Sequence, residues 1–324
     1  MELFLKFHVT GEVPRTERVL AQADDLGLTG VLLNVGSPGV GGGFRHRCNA
    51  ASRLGRALRR EGVSFHWIVP VFHNPGWFAA HPLLRPVDLG GRVFRRKDWY
   101  APVCPNDPEY IERFEGMFLP TLGVLEPEGV SFDFLRFPFF WEQERNLRWN
   151  GRQSLFCGCL YCRDAFNAGR VSGDGGEVEW SSPGEAWSQW RAGCISTIAL
   201  RLSRLARREN PQVTVWIHIP PVTGGDTSAA CAMLYGQEIA ALSRIVDRLS
   251  PMLYHGILRR PLSWVRRSAE EFRRLAGTTS SVYPSVEWRE PGSLRHSTMK
   301  RWLSARETPG IRGLVLFQRT EREA

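Results

Sequence analysis

Three cysteines fall within six consecutive residues near the middle of the chain, in the segment Cys157-Gly-Cys159-Leu-Tyr-Cys162. A tight turn brings alternate sulfurs together, so three thiolates at this spacing converge easily on one cation. Tetrahedral zinc needs a fourth ligand, and Cys104 is the candidate. A site closed by four sulfurs has no open position and is structural. We therefore predict a structural zinc site; three unrelated buried thiols is the alternative.

Carboxylates and other polar side chains recur inside or at the ends of apolar runs. Asp133 lies in Phe-Asp133-Phe-Leu-Arg136-Phe-Pro, and Glu287 ends another apolar run. Glu142 and Glu144 follow closely after the Asp133 segment. A pair of carboxylates of this kind is typical of acid–base or nucleophilic chemistry. Candidate binding side chains have a polar or flat aromatic group near a predicted strand end: Asn34, His66, Arg136, Trp141, His218, Tyr254 and Trp288.

The hydrophobic periodicity predicts strands that alternate with helices along the whole chain. The predicted strands are 3–10, 30–36, 64–74, 129–138, 213–220, 249–255, 280–288 and 313–319. The predicted helices are 13–26, 51–60, 107–125, 185–209, 235–246, 262–275 and 293–306. Eight such units indicate an α/β fold, a single (β/α)8 TIM barrel over residues 1–324 with the last helix short or missing.

Two long connections interrupt this regular pattern, one over 75–106 after the third strand and one over 139–186 after the fourth. The second carries the cysteine cluster, and we interpret it as a zinc-bearing insertion. An open doubly wound sheet is the alternative fold, but no Gly-x-Gly-x-x-Gly follows the first strand. In a barrel, chemistry takes place at the carboxyl ends of the strands, so both loops and the polar residues are expected at one rim.

Composition limits the classes of partner. The formal net charge is +9, almost all from arginines on predicted helices, and no nucleic-acid-binding module accompanies it. No apolar run has the length of a membrane span and no secretory pattern begins the chain, so we expect a cytoplasmic protein without membrane contacts. The sequence leaves a homo-oligomer open. The remaining cysteines fit packing roles beside predicted helices: Cys48, Cys194 and Cys231.

The cysteine pattern resembles that of a known family. Cys-Pro-x-x-Pro-x-Tyr from Cys104 to Tyr110, followed by Cys-x-Cys-x-x-Cys-x-x-x-Phe from Cys157 to Phe166, is similar to the zinc-containing β-galactosidases of glycoside hydrolase family 42. In that family the equivalent cysteines hold a zinc beside the barrel mouth. The Asp133 strand resembles a second group, uncharacterised glycoside-hydrolase-like barrels with an Asp-Tyr-Ile-Arg-Tyr-Pro motif.

These resemblances imply a retaining glycoside hydrolase acting on a carbohydrate. The clan of barrel glycosidases places its acid/base after strand four and its nucleophile on strand seven. Asp133, or Glu142 beyond it, then matches the acid/base and Glu287 the nucleophile. The Asn-Glu pair that family 42 carries at the end of strand four is absent, and Asp133 is predicted inside its strand. A buried ion pair is the alternative role for Asp133.

Two other functions stay open at this stage. A non-catalytic carbohydrate-binding barrel explains the missing Asn-Glu pair. A metal-dependent hydrolase would use His8, His66 and His218 with a carboxylate, and it predicts a second metal inside the barrel.

Overall fold

A computed structural model describes residues 1–8, 12–39, 42–144, 147–151, 153–168, 184–288 and 311–318. The helix predicted over 293–306 lies outside the described residues. So does the part of the insertion predicted over 139–186 that runs from 169 to 183.

Nine strands, all parallel, form one curled sheet with helices against it, which confirms the predicted α/β barrel class. The strands are β1 Glu2–His8, β2 Gly30–Asn34, β3 Ser64–Pro70, β4 Gly129–Asp133, β5 Thr214–Ile219, β6 Arg248–Pro251, β7 Ser281–Val282, β8 Ser285–Trp288 and β9 Gly313–Gln318. Their order is β7-β6-β5-β4-β3-β2-β1-β9-β8.

The two ends of this order belong to one stretch of chain. β7 pairs with β6 and β8 pairs with β9, and Tyr283 and Pro284 separate the two short strands. The Pro284 carbonyl accepts from Val315 N, and the Ser285 carbonyl accepts from Leu253 N, so the bonding continues on both sides across the break. Together β7 and β8 are the seventh of the eight predicted strands, and they connect the sheet into a ring.

The helices that the structure describes are α1 Thr16–Leu26, α2 Gly42–Arg60, α3 Pro75–Ala80, α4 Pro108–Leu125, α5 Leu160–Ala168, α6 Glu185–Glu209, α7 Thr227–Tyr235, α8 Ile239–Ser243 and α9 Leu262–Ala276. α6 has the predicted bounds, and α4 begins as predicted after Asp107, whose carboxylate accepts from Tyr110 N.

Several predicted bounds were wrong. The helix predicted over 235–246 contains only the short α8, and the preceding α7, which was not predicted, ends at Tyr235 because Gly236 adopts a left-handed conformation. The loop predicted over 75–106 contains α3, where Asn74 accepts from Trp77 N and Pro75 suits the first turn. α2 begins nine residues earlier than predicted, at Gly42 instead of Ala51.

Alternate residues of the strands face the barrel interior, where an aromatic plug fills the amino-terminal half. Phe4, Trp216 and Tyr283 belong to one buried cluster, although they come from different sides of the ring. The Arg248 guanidinium lies 4.7 Å from the Trp216 ring centre and pairs with Glu2 at 2.9 Å. A cavity of about 540 Å³ opens at this end, away from the carboxyl ends of the strands.

The other faces of the strands pack against the helices in a large apolar core. Within the part of the chain that the structure describes, no helix is both long and apolar enough to cross a membrane.

Two helical glycines allow a matched test of this packing. A Cβ at Gly55 of α2 would lie 2.7 Å from the fully buried Phe65 ring, whereas one at Gly123 of α4 meets nothing within 4 Å. Gly123→Ala should stabilise the fold by about 0.5–1 kcal/mol through helix propensity. Gly55→Ala should destabilise it by about 1–3 kcal/mol, because overpacking outweighs that gain. Urea unfolding measures both; equal effects would contradict the α2–β3 packing.

Candidate active site and cysteine cluster

Asp133 is the last residue of β4, so it lies at the carboxyl end of the barrel and not inside a longer strand as predicted. Phe134 follows with φ 53°, a left-handed conformation that ends the strand at once. Phe134 N donates to Asp133 Oδ1 at 2.8 Å. The chain then turns back, and this reversal brings Arg136 Nη1 within 3.6 Å of Asp133 Oδ1, although strand alternation would separate the two side chains.

Lys6 of β1 completes a buried ion cluster with these two residues. Its Nζ lies 3.4 Å from Asp133 Oδ2, and both side chains are almost fully buried. Burial alone would raise the pKa of Asp133, but Lys6, His218 and Arg136 together lower it well below its usual range. Asp133 is therefore an ionised carboxylate at neutral pH, and this protonation state is unsuited to a proton donor.

Glu142 is in the opposite electrostatic situation. It lies in a 3-10 turn over Trp141–Gln143, and its Oε2 is buried with no hydrogen-bond partner among the described residues. Burial raises the pKa of Glu142 to about 7, while Arg136 opposes the rise and Asp133 adds to it. Glu142 is thus poised to carry a proton near neutral pH. Glu144 is separate from this group and lines a cavity beside it.

Glu287 lies in β8 and is fixed by the backbone after β6. Its Oε2 accepts from Ile257 N at 3.0 Å. A Cβ at Gly256 would lie 2.2 Å from the same oxygen, so a side chain at position 256 would displace the Glu287 carboxylate. The segment after β6 therefore holds the Glu287 carboxylate of β8 in place.

Tyr254 is the phenol on which all three predicted carboxylates act electrostatically. It is buried and stacks on Phe317 with ring centres 4.7 Å apart. Burial raises the pKa of the Tyr254 phenol, and the charges of Asp133, Glu142 and Glu287 raise it further. All three carboxylates thus act electrostatically on one phenol at the barrel mouth.

The predicted binding residues fall into two groups. Most lie at the mouth: the Trp141 ring centre is 5.9 Å from that of Tyr254, His218 Nε2 lies 3.0 Å from Ser131 Oγ, and Asn34 Nδ2 lies 3.1 Å from His8 Nδ1. Trp288 is buried at the end of β8.

His66 does not lie with them. It packs edge-on against Phe4 and Trp216 in the amino-terminal plug, and its Nε2 lies 2.9 Å from Ser64 Oγ. His66 is separated from the mouth because it is the third residue of β3 and lies well before the carboxyl end of that strand.

Two aromatic residues at the mouth were missing from the predicted site. The His73 ring stacks on Phe134 with ring centres 4.7 Å apart, and Trp99 packs edge-on against both rings. Trp99 remains 41% exposed, so one part of its ring is open to a ligand. Its position in a long aromatic-rich loop was a signal of function, but the sequence did not show that this loop reaches the mouth.

The four predicted zinc ligands come together. Their sulfurs all lie within 4.8 Å of one another, with Cys104 Sγ 3.4 Å from Cys162 Sγ and 3.7 Å from Cys159 Sγ. Thiolates around a tetrahedral zinc are separated by roughly 3.8 Å, given zinc–sulfur bonds of about 2.3 Å. The cluster could therefore bind a metal ion, and it connects the loop before α4 to the loop before α5.

Hydrogen-bond donors and a buried cation surround these sulfurs. Asn106 donates from its backbone N to Cys104 Sγ at 3.4 Å and from Nδ2 to Cys162 Sγ at 3.2 Å. The fully buried Arg191 of α6 is attracted electrostatically to Cys162 and Cys157, and its Nη2 donates to the Phe156 carbonyl at 2.9 Å. Hydrogen bonds to the ligand atoms are typical of the groups that surround a metal site.

A second metal site is not found. Within the described ranges, the cysteine cluster is the one group of three or more histidine, cysteine or carboxylate side chains placed to hold an ion. His66 lies in the amino-terminal plug, whereas His8 and His218 lie at the barrel mouth. Burial lowers the pKa of each of the three to about 3. This arrangement gives no support to the metal-dependent hydrolase.

Comparison with known proteins identifies the fold. No family model and no curated protein matches the sequence. Among solved structures, the chain resembles a β-galactosidase from the haloarchaeon Halorubrum lacusprofundi (TM-score 0.69, 15% identity, 98% of this chain and 52% of that one). It also resembles the PgaB (BpsB) glycoside hydrolase domain from Bordetella bronchiseptica (0.66, 12%, 97% and 93%) and a β-galactosidase from Bacillus circulans sp. alkalophilus (0.66, 14%, 98% and 50%).

These similarities define the class of fold as a glycoside-hydrolase-like α/β barrel. The chain spans about half the length of the two β-galactosidases and nearly all of the PgaB domain. At identities of this level the likeness extends to the fold alone.

The ion cluster around Asp133 generates a stability prediction. Asp133→Asn leaves Lys6 and Arg136 buried without their anion, so unfolding free energy at pH 7 should fall by about 3–5 kcal/mol. Glu270→Gln, which removes the exposed Arg266 pair on α9, should cost less than about 1 kcal/mol. Urea unfolding of both variants measures the difference.

The stability that the Asp133 ion pairs contribute should decrease as the pH falls. The folded-state pKa of Asp133 is depressed, so its stabilisation is complete above the unfolded-state value of about 3.9 and is lost as pH falls below it. The penalty of Asp133→Asn should therefore shrink between pH 5 and 3. A penalty that is constant with pH would contradict the ion pairing.

Proposed function

We propose that the chain is a retaining glycoside hydrolase with Glu142 as acid/base and Glu287 as nucleophile. The observations that support this most are the buried Glu142 Oε2 in the loop after β4 and the Glu287 carboxylate held by Ile257 N in β8, both at the carboxyl end of a glycoside-hydrolase-like barrel. Glycosidic cleavage requires two carboxylates, one that protonates the leaving oxygen and one that attacks the anomeric carbon or activates water.

In the first step, Glu142 gives its proton to the glycosidic oxygen while Glu287 attacks the anomeric carbon. The bond to the leaving sugar breaks, and a covalent ester to Glu287 forms. In the second step, the Glu142 carboxylate takes a proton from water, whose oxygen attacks the same carbon and releases Glu287 as a carboxylate. A pKa near 7 suits Glu142 to both steps.

Asp133 has a different role in this proposal from the acid/base predicted from sequence. Its ion pairs keep it charged, and it fixes Arg136 and Lys6 beside Glu142. We regard it as a positioning residue that helps to keep the Glu142 proton in place through its negative charge.

Sugar binding is proposed for side chains at the mouth. Asn34 offers a hydrogen-bonding amide for hydroxyls, whereas His218 is fully buried. Trp99, which is 41% exposed, offers a flat surface for the C–H face of a sugar ring, whereas Trp141 and Trp288 are buried and have no open face. His66 is omitted, because it belongs to the plug.

A non-catalytic carbohydrate-binding barrel is the second candidate. One observation favours it: the Asn-Glu pair of family 42 at the end of strand four is replaced by Phe134 and Leu135 after Asp133. Glu142 lies farther along the same loop and offers a carboxylate in place of that pair.

We further propose that the metal held by Cys104, Cys157, Cys159 and Cys162 is zinc. Four thiolates fit zinc, and the observed sulfur separations suit tetrahedral coordination. With every position filled by sulfur, the ion would supply no catalysis. It would fix the loops that carry Trp99 and Glu142 against each other.

Leaving-group dependence tests the assignment of the carboxylates. On a glycan panel, Glu142→Gln should lower kcat/KM by about 10²–10⁴-fold for natural glycosides but much less for p-nitrophenyl glycosides, whose leaving group needs no proton. Glu287→Gln should lose activity on both, and the alkaline limb near pH 7 should disappear in Glu142→Gln. The remote Glu270→Gln is the control. Hydrolysis that is unchanged in Glu287→Gln would reject the mechanism.

Elemental analysis tests the metal. The purified protein should contain one zinc per chain, and Cys159→Ser should lower both this content and the thermal midpoint. Cys231→Ala, at a buried thiol outside the cluster, should keep the zinc. A zinc content that survives Cys159→Ser, or a protein that binds no zinc when refolded with it, would contradict the site.

A further inference from the structure

A second cavity, of about 380 Å³, lies between the loops that follow β3 and β4. Its volume falls within the roughly 300–1,000 Å³ of small-molecule sites. Six of the side chains around it carry the argument: Phe94, Lys97, Phe140, Glu144, Gln153 and Phe156.

This cavity lies beside the barrel mouth, and the buried Phe140 ring separates the two. The Phe140 ring lies 5.5 Å from the half-exposed Trp99 ring and 5.1 Å from the Tyr100 ring. The next two residues along the chain are Trp141 and Glu142. The cavity wall and the proposed acid/base are therefore carried by the same short segment of chain, 140–144.

The lining combines flat apolar surfaces with free hydrogen-bonding groups. Phe94 and Phe156 meet edge-on with ring centres 5.0 Å apart and form an aromatic wall. Lys97 and Glu144 line the cavity, and neither side chain has an ion pair or hydrogen bond within the part of the chain that the structure describes. Sugar rings match such a surface, since they offer C–H faces to aromatic rings and hydroxyls to charged groups.

We propose that this cavity is an outlying sugar-binding subsite, so that the substrate is an oligosaccharide or polysaccharide that extends from the carboxylates across Trp99 to Glu144. The inference rests on the proposed function. It assigns to Lys97 and Glu144 the binding of hydroxyls on a sugar unit that is not cleaved.

The test separates long from short ligands. In a Glu287→Gln background, calorimetry measures binding of gluco-, galacto-, manno- and N-acetylglucosamine oligosaccharides of one to six residues. Affinity for at least one series should increase with length. Adding Lys97→Ala and Glu144→Ala should weaken the longest members about tenfold or more and leave the one- and two-residue ligands unchanged, because two charge-assisted contacts are lost.

Arg266→Ala with Glu270→Ala is the matched control, because it also removes one cation and one anion, from an exposed pair on α9. It should leave every affinity unchanged. Equal weakening at all lengths, no weakening at the greatest length, or no binding of any of these oligosaccharides would overturn the subsite.

The same variants distinguish the subsite from the proposed mechanism. Hydrolysis of an aryl monosaccharide by the unmodified chain, with affinities independent of length, overturns the subsite and keeps the enzyme. Length-dependent binding without hydrolysis keeps the subsite and favours the binding barrel.

Discussion

The buried ion cluster of Lys6, Asp133 and Arg136 is the interaction on which the mouth of this barrel depends. Each charge is removed from water, so each must be compensated by its neighbours. The left-handed turn at Phe134 makes this possible, because it ends β4 and returns Arg136 to the carboxylate that precedes it. One local backbone conformation therefore sets the position of three charges.

The cluster also divides the roles of the carboxylates. Asp133 is stabilised as an anion, whereas burial raises the pKa of Glu142 against the opposing charge of Arg136, and the Asp133 anion adds to that rise. Glu287 is held by a backbone amide on the opposite segment, after β6. Asp133 and Glu142 thus acquire different protonation tendencies from their surroundings, and a carboxyl that retains its proton near neutral pH is what the proposed acid/base requires. The cysteine cluster lies outside this group and connects the two loops that border it.

The sequence predicted the fold because strand and helix periodicities are local properties of the chain. It also predicted the meeting of Cys104 with Cys157, Cys159 and Cys162, because barrel topology places the loops after β3 and β4 side by side. It did not predict that β4 ends at Asp133, since Phe134 to Phe137 have the composition of a continuing strand. Nor did it separate His66 from the mouth, because depth along a strand depends on the register between strands. Trp99 was missed because the path of a long loop depends on tertiary contacts.

The protonation of Glu142 is the property on which the proposed mechanism depends most directly. A carbon-13 NMR titration of the labelled glutamate carboxyls, assigned by loss of one signal in Glu142→Gln, measures that property without any substrate. We expect this carboxyl to titrate near pH 7 and its midpoint to fall in Asp133→Asn, where the neighbouring negative charge is removed. A midpoint near 4 that does not respond to Asp133→Asn would contradict the proposed mechanism.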